Sequence, residues 1–202
     1  MARPVNDVNR ELVQARILEA ARMVFCKKGF IDVTMTDLIN AAGLSRGGFY
    51  FYYKSVGEVF LAAVRKHRDS KFSEIRKSVE DNPDFYELMD SYLEKQKVRL
   101  LQNDTSMLLA LYEYLFTNRK KSDVQFRLEQ KNNVLDTINT ILQLGIRQGA
   151  IDGEGIDRIA EHFMYTIEGL NAVALIGGLN AEAIDQQFTI LKKMLKTKKG
   201  EN

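Results

Sequence analysis

Three helix-start signals within residues 34–58 constrain the fold of this chain more than any other feature. Thr34 and Ser55 each begin a capping box, in which a hydroxyl residue is followed three positions later by an acid. Between them, Gly43 can end one helix and Ser45 can cap the next. The segment therefore predicts two short helices joined by a tight turn, with a third helix that begins directly afterwards.

The rest of the chain is also predicted to be helical. Proline occurs only at Pro4 and Pro83, and runs that alternate between apolar and polar residues are rare. We therefore predict an all-α fold of about nine helices, without internal repeats. The predicted helices cover about residues 8–28, 35–42, 46–53, 56–79, 84–101, 105–116, 123–147, 156–176 and 181–195.

Composition excludes several functional classes. Cys26 is the only cysteine and cannot form an internal disulfide, which is typical of a reducing compartment. Neither a secretory signal nor a run of 18 apolar residues is present, so we expect a cytoplasmic protein that does not span a membrane. His67 and His162 are the only histidines, and no catalytic triad, phosphate loop or metal-ligand cluster is evident. We expect no enzyme activity, no metal and no cofactor.

Positive charge is concentrated at the N-terminal end. Residues 1–78 contain 14 Lys/Arg and 8 Asp/Glu, a net charge of +6, whereas residues 79–202 contain 15 and 19, a net charge of −4. This asymmetry between a basic N-terminal third and a mildly acidic remainder is consistent with an N-terminal region that binds a polyanion. Ordinary scatter of surface charge would also produce the asymmetry.

Hydrogen-bond donors cluster at the start of the second short helix. The Ser45 hydroxyl can bind a phosphate, and the Arg46 guanidinium can bind guanine or a phosphate. Gly47 and Gly48 cost about 1 kcal/mol each in helix propensity, which close approach of the backbone to base edges would explain. The alternative is that the two glycines form only a flexible turn.

Further candidates for DNA contact flank this helix start. Tyr50 and Tyr52 can offer hydroxyls to phosphates and rings to thymine methyl groups, or they are packed aromatic residues. Lys54, Thr34 and Thr36 are suited to phosphates near helix ends. Phe49 and Tyr53 are predicted to anchor the helix from behind. Residues 1–55 are thus predicted to form a helix-turn-helix domain that binds double-stranded DNA, with residues 56–79 as a connector.

These residues resemble the N-terminal signature of the TetR family of bacterial regulators, over about residues 12–62. The resemblance implies a homodimer that binds a palindromic operator, usually represses, and leaves DNA when a small molecule binds the C-terminal domain. Gly48 stands where the family often has Thr, and Val56-Gly57 stand where it usually has Lys-Glu, so the operator sequence stays open. The residues that carry the resemblance are Ile17, Leu18, Ala20, Ala21, Phe25, Gly29, Phe30, Thr34, Leu38, Ala41, Ala42, Gly43, Leu44, Ser45, Gly47, Phe49, Tyr50, Tyr52, Tyr53, Lys54, Ser55 and Phe60.

Residues 56–202 are predicted to bind the effector and to form the dimer. Two apolar stripes on the last two helices favour a four-helix interface, unless they complete the core of the subunit itself. The predicted interface residues are Phe163, Ile167, Leu170, Ala174, Ile184, Phe188, Leu191 and Leu195. The run 172–176 is apolar on every side.

A pocket for a small, apolar or aromatic effector is predicted among the middle helices. Glu113 and His162 could orient a polar group, and Glu113 would favour a lipophilic cation over a fatty-acyl compound. For each position the alternative is an ordinary core residue. The predicted pocket residues are Tyr86, Met107, Leu108, Tyr112, Glu113, Phe116, His162 and Phe163. Alternative functions are a transcriptional activator of the same family or a helical adaptor that does not bind DNA.

Overall fold

The computed structural model describes residues 5–102, 106–119 and 123–195, and within these ranges the chain is all-α, as predicted. Nine helices lie in the described ranges. They are α1 (Val5–Lys28), α2 (Met35–Ala42), α3 (Arg46–Tyr52), α4 (Val56–Glu80), α5 (Phe85–Leu101), α6 (Leu108–Thr117), α7 (Val124–Arg147), α8 (Ile156–Leu175) and α9 (Ala181–Lys193).

Most helix boundaries agree with the sequence-based prediction to within two residues. The α2 boundaries are identical to those predicted, and Gly43 ends this helix in the left-handed conformation with φ of +63°. Two helices differ more: α1 begins three residues earlier than expected, and α6 begins at Leu108. The predicted start of α6 at residue 105 falls outside the described residues.

The first compact unit comprises the described residues up to Asp69 together with residues 106–119. This partition differs from the predicted domain boundary at residue 55. The first half of α4 belongs to this unit because its Phe60 side chain is fully buried and contacts the Phe25 ring, with 5.1 Å between ring centroids. Helix α6 belongs to it because Tyr114 packs against Phe30 and Phe60, at centroid distances of 5.0 and 4.9 Å.

The second unit comprises the remaining described residues from Ser70 onward, with α5, α7, α8 and α9 around a single apolar core. Gly145 of α7 permits a close approach, because a Cβ at this position would lie only 2.7 Å from Cδ2 of the fully buried Phe85. On the surface, Lys97 of α5 forms an ion pair with Asp185 of α9 at 2.7 Å. Over the described ranges, every helix is too short or too polar to cross a bilayer.

Candidate nucleic-acid interface

The start of α2 is held by the predicted capping box. The backbone N–H of Asp37 donates to the Thr34 hydroxyl at 3.2 Å, and the N–H of Thr34 donates to the Asp37 carboxylate at 2.9 Å. Lys28, in the last turn of α1, pairs with the same carboxylate at 2.6 Å. The hydrogen bond from Lys28 and those from Thr34 lower the pKa of Asp37 from 3.8 to about 2. Thr34 and the neighbouring Thr36 are both exposed.

The start of α3 is capped by Ser45, whose hydroxyl oxygen accepts a hydrogen bond from the Gly48 N–H at 3.2 Å. Because the cap uses a lone pair of the hydroxyl oxygen, the O–H group can still donate to a phosphate. A Cβ at Gly48 would lie 3.1 Å from the Ser45 hydroxyl oxygen, whereas a Cβ at Gly47 would have no described atom within 4 Å outside its own helix. The backbone at Gly47 is therefore open to a ligand.

The inner face of α3 is anchored in the first unit, as the sequence predicted. Phe49 is fully buried, and the nearby Tyr53 is also buried. The Tyr53 hydroxyl accepts a hydrogen bond from the Gln14 side-chain amide of α1 at 3.0 Å. Burial raises the pKa of the Tyr53 phenol, with a smaller opposite effect from the Gln14 hydrogen bond. This anchoring holds the opposite face of the short helix towards solvent.

The outer face of α3 presents a cation beside an aromatic ring. Arg46 is exposed, and its guanidinium carbon lies 5.7 Å from the centroid of the Tyr50 ring, within cation–π distance. Tyr50 and Tyr52 are each partly exposed. Lys54 is exposed, and its ammonium group donates to the backbone carbonyl of Tyr50. Helix α3 and the residue that follows its C-cap therefore present aromatic rings, hydroxyls and two cations to solvent.

The junction between α3 and α4 is a modified capping box. The Glu58 N–H donates to the Ser55 hydroxyl at 3.2 Å, as predicted. The Glu58 carboxylate, however, accepts from the N–H of Lys54 at 2.7 Å and not from that of Ser55. The hydrogen bond that a capping box predicts from the Ser55 N–H is thus made by the preceding residue, Lys54, because the Glu58 carboxylate extends past Ser55. This bond ties the end of α3 to the start of α4.

Two residues that the sequence analysis did not select extend the same surface. Phe51 of α3 is 64 % exposed, and the guanidinium carbon of Arg10 in α1 lies 5.3 Å from its ring centroid. The pair adds a cation and an apolar ring beside Tyr52. Because 41 residues separate Arg10 from Phe51, helix periodicity could not reveal this contact, and the N-terminal excess of positive charge was the only sequence signal.

Comparison with known proteins identifies the family. The model "Bacterial regulatory proteins, tetR family" matches residues 17–63, which include α2, α3 and the start of α4. An uncharacterised HTH-type transcriptional regulator of Bacillus subtilis, YfiR, is 30 % identical over 177 residues, which are 87 % of this chain and 86 % of the relative. This chain belongs to the TetR family. It is a transcriptional regulator and not an enzyme.

Solved structures of TetR-family proteins and similar regulators share the fold. The reduced form of Escherichia coli NemR superposes with a TM-score of 0.75 at 15 % identity, covering 93 % of this chain and 99 % of NemR. A TetR transcription regulator from Haloarcula marismortui superposes with a TM-score of 0.71 at 17 % identity, covering 92 % and 97 %. At these identities the likeness concerns the helical fold only.

In this TetR-family chain, the residues predicted to form an effector pocket are divided between the two units. Five lie on or beside α6 in the first unit: Met107, Leu108, Tyr112, Glu113 and Phe116. Leu108 is buried and Phe116 is exposed, with the Tyr112 ring 5.9 Å from the Phe116 ring. The Glu113 carboxylate accepts hydrogen bonds from the backbone N–H groups of Phe30 and Ile31, which follow α1 in the same unit.

The other three predicted pocket residues lie in the second unit. The Tyr86 ring is exposed, and its hydroxyl donates to the carbonyl of Ala150 at 3.0 Å. His162 is exposed on α8. Phe163 is fully buried in the apolar core. The three side chains therefore differ in environment: two are exposed and one lies in the core.

The two apolar stripes predicted to form the dimer interface belong to the core of the second unit. Seven of these side chains are buried within the chain itself: Phe163, Ile167, Leu170, Ala174, Ile184, Phe188 and Leu191. Leu195 is partly buried and packs against the same core. Periodicity detected a buried face, and that face is covered by the subunit itself.

The C-terminal half of the opposite face of α8 is largely apolar and open to solvent. Tyr165, Ala172, Val173 and Ile176 are exposed, and their spacing places them on one side of the helix. Ile176, directly after α8, is 82 % exposed. This face is exposed in the described chain, whereas the two predicted stripes are buried in its core.

Proposed function

We propose that this TetR-family regulator is a repressor that binds a palindromic operator as a homodimer and is released by a small molecule. The observation that carries the proposal is the outer face of α3, where Ser45, Arg46 and Tyr50 surround an open backbone at Gly47. The face opposite to it is anchored by Phe49, so the helix is held as a rigid element.

In the proposed complex, α3 enters the major groove. Arg46 binds O6 and N7 of a guanine or a phosphate, and Gly47 lets the helix start approach the base edges. Tyr50 and Tyr52 contribute hydroxyls to phosphates and rings to thymine methyl groups. Exposed Thr34 and Thr36, at the start of α2, contact the adjacent phosphates. Lys54 lies at the far end of α3 and supplies a further phosphate contact.

Two copies would pair through the exposed face of α8 defined by Tyr165, Ala172, Val173 and Ile176, together with the outer face of α9. Ile190 of α9 is half exposed, among polar side chains that include Gln186 and Lys193. A two-fold dimer would bring two α3 helices to successive major grooves, which requires roughly 34–36 Å between them or a multiple of a helical turn. The operator is proposed to be palindromic because its symmetry would match the two-fold symmetry of the dimer.

The proposed effector is small and apolar or aromatic. It releases the protein only if it binds the DNA-free conformation more tightly than the DNA-bound one, because equal affinity for both would leave the equilibrium unchanged. In our proposal, binding shifts the helices that follow α4 and spoils the spacing of the two α3 helices.

Fluorescence anisotropy tests the proposal. The protein is titrated onto DNA from its own upstream region and onto scrambled DNA of the same length, across a series of salt concentrations. We expect specific binding that saturates at two or four subunits per site, with a steep salt dependence from phosphate contacts. Equal, weak binding to both DNAs, repeated with genome fragments, would leave a helical adaptor as the better description.

Repression is tested separately from binding. A reporter under the bound promoter is measured with and without the regulator. We expect higher expression when the regulator is absent, because the dimer occludes the promoter. Lower expression in its absence would identify an activator that uses the same interface.

A further inference from the structure

We propose that Glu113 is a positioning residue for DNA binding: its carboxylate holds the connection between α1 and α2, and thereby sets how the helix-turn-helix is presented. In sequence, α6 lies between α5 and α7, which belong to the second unit, yet α6 itself packs within the first unit. The inference rests on the proposed function, because operator affinity is one of its readouts.

The carboxylate occupies a cradle of backbone N–H groups. One oxygen of Glu113 accepts hydrogen bonds from the N–H of Phe30 and from the N–H of Ile31, the latter at 3.0 Å. These two residues follow Gly29 after the end of α1, and successive N–H groups in such a turn can bind an anion. Because an ionised acceptor roughly doubles the strength of a hydrogen bond, Glu113 is a strong restraint on this connection.

Gly29 provides both the turn and the space for this carboxylate. Its φ of +77° is left-handed, which turns the chain out of α1. A Cβ at this position would lie 2.5 Å from the carboxylate oxygen of Glu113 that accepts both bonds. A side chain at position 29 would therefore displace the carboxylate.

The next residue along α6 fixes the helix in place. Tyr114 is buried, and its ring packs on those of Phe30 and Phe60, the latter in a stacked arrangement. Phe30 therefore contacts α6 in two ways: its ring packs against Tyr114, and its backbone N–H donates a hydrogen bond to Glu113. Apolar packing alone leaves the backbone direction poorly specified, whereas the two hydrogen bonds define it.

The restrained connection leads directly into the proposed DNA contacts. On one side of it, Lys28 pairs with Asp37 of α2, and on the other Thr34 caps α2 through the same Asp37. Glu113 holds the segment between these two anchors. Without this carboxylate, the connection would keep the bond from the Val33 N–H to the Phe30 carbonyl at 3.4 Å, and α2 would keep its apolar contacts and the Lys28 pair. The connection would lose its two strongest hydrogen bonds, so its order before DNA binding would decrease.

The test compares Glu113→Ala and Glu113→Gln with the wild type, and uses Glu74→Ala as a matched control, since Glu74 is an exposed acid on α4 in the second unit. Specific and scrambled DNA affinities are measured at a temperature where each variant is folded. We expect Glu113→Ala to weaken operator binding about tenfold, which corresponds to about 1.4 kcal/mol, with affinity for scrambled DNA unchanged. Glu113→Gln should retain most of the affinity, because its amide oxygen can accept the same two bonds.

Amide NMR of the free protein provides a readout that does not need DNA. We expect the amide protons of Phe30 and Ile31 to shift upfield in Glu113→Ala and to exchange faster with solvent, with no such change in Glu74→Ala. Gly29→Ala should also weaken operator binding, because its Cβ would displace the Glu113 carboxylate and its φ of +77° strains a residue other than glycine.

Three outcomes would overturn the inference. Folded Glu113→Ala could bind the operator as tightly as the wild type, or could lose specific and scrambled affinity by the same factor, or its Phe30 and Ile31 amides could remain unchanged. If Glu113→Ala does not fold, Gly29→Ala decides the question, because a folded Gly29→Ala that binds the operator as tightly as the wild type would also overturn the inference. If the wild type binds no specific DNA, the proposed function fails, while unchanged Phe30 and Ile31 amides would independently refute the restraint.

Discussion

Gly47→Ala should stabilise the protein and weaken its binding to DNA, which separates the two explanations for the glycine at the start of α3. Gly47 has no positive φ, and a Cβ there would meet no described atom within 4 Å outside its own helix. Alanine therefore fits the free protein without strain and should raise the free energy of unfolding by about 0.5–1 kcal/mol. For a chain of this length, that corresponds to a rise in Tm of about 1–4 °C.

On DNA the same methyl group has the opposite effect. It occupies the space through which the backbone at Gly47 would approach the base edges, so we expect operator affinity to fall at least about tenfold, or about 1.4 kcal/mol. Thermal unfolding and fluorescence anisotropy measure the two effects on one preparation. Gly57→Ala is the matched control, because Gly57 is the second residue of α4, as Gly47 is of α3, and its Cβ would be 4.0 Å from Ser55 Oγ.

The control should gain stability without losing affinity. Gly47→Ala could instead gain stability and bind the operator as tightly as the wild type. In that case the glycine serves only the turn, and the proposed close approach of the α3 backbone to the base edges is refuted. A fall in Tm would instead contradict the accessibility of this position in the free protein.

Three further predictions concern the same surfaces. Tyr50→Ala should weaken operator binding at least about tenfold and leave the dimer intact in sedimentation, because it removes a hydroxyl and the ring beside Arg46; unchanged affinity of the folded variant would contradict this. Because the folded-state pKa of Asp37 is about 2, below its ordinary 3.8, its contribution to stability should be complete above about pH 4 and decline towards pH 2. The denaturation midpoint of Asp37→Asn should therefore vary less with pH in that window than the midpoint of the wild type. Equal pH dependence of the two midpoints would refute the interaction of Asp37 with Lys28 and Thr34. Ile176→Glu should convert dimers to monomers in sedimentation without lowering Tm of the subunit, since this side chain is 82 % exposed; a persistent dimer would exclude this face.

Helix boundaries were predictable because their signals are local. The cap of α2 connects Thr34 to Asp37, three residues apart, and Gly43 ends the helix by its own backbone conformation. Such interactions form within one turn, whatever the rest of the chain does. The fold class, the positions of the helices and the anchoring role of Phe49 could therefore be predicted from the sequence.

The assignment of apolar faces could not be predicted in the same way. Periodicity showed that α8 and α9 each bury a stripe, including Phe163 and Phe188, but a stripe does not specify which surface covers it. In the structure the covering surface is the core of the same unit. The signal for a second apolar face was present in residues 172–176, which are apolar on every side, and the structure shows that part of this run is exposed.

The contacts that organise the candidate interface depend on the path of the whole chain. Glu113 reaches Ile31 across 82 residues, and Arg10 meets Phe51 across 41. Hydrogen-bond geometry and helix propensity act over three or four residues, so the local sequence determined the helices of the described ranges, their caps and the donor-rich start of α3. Which helix packs against which follows from the summed burial of side chains over each unit, and only the tertiary structure could place α6 with the helix-turn-helix and bring Glu113 to the end of α1.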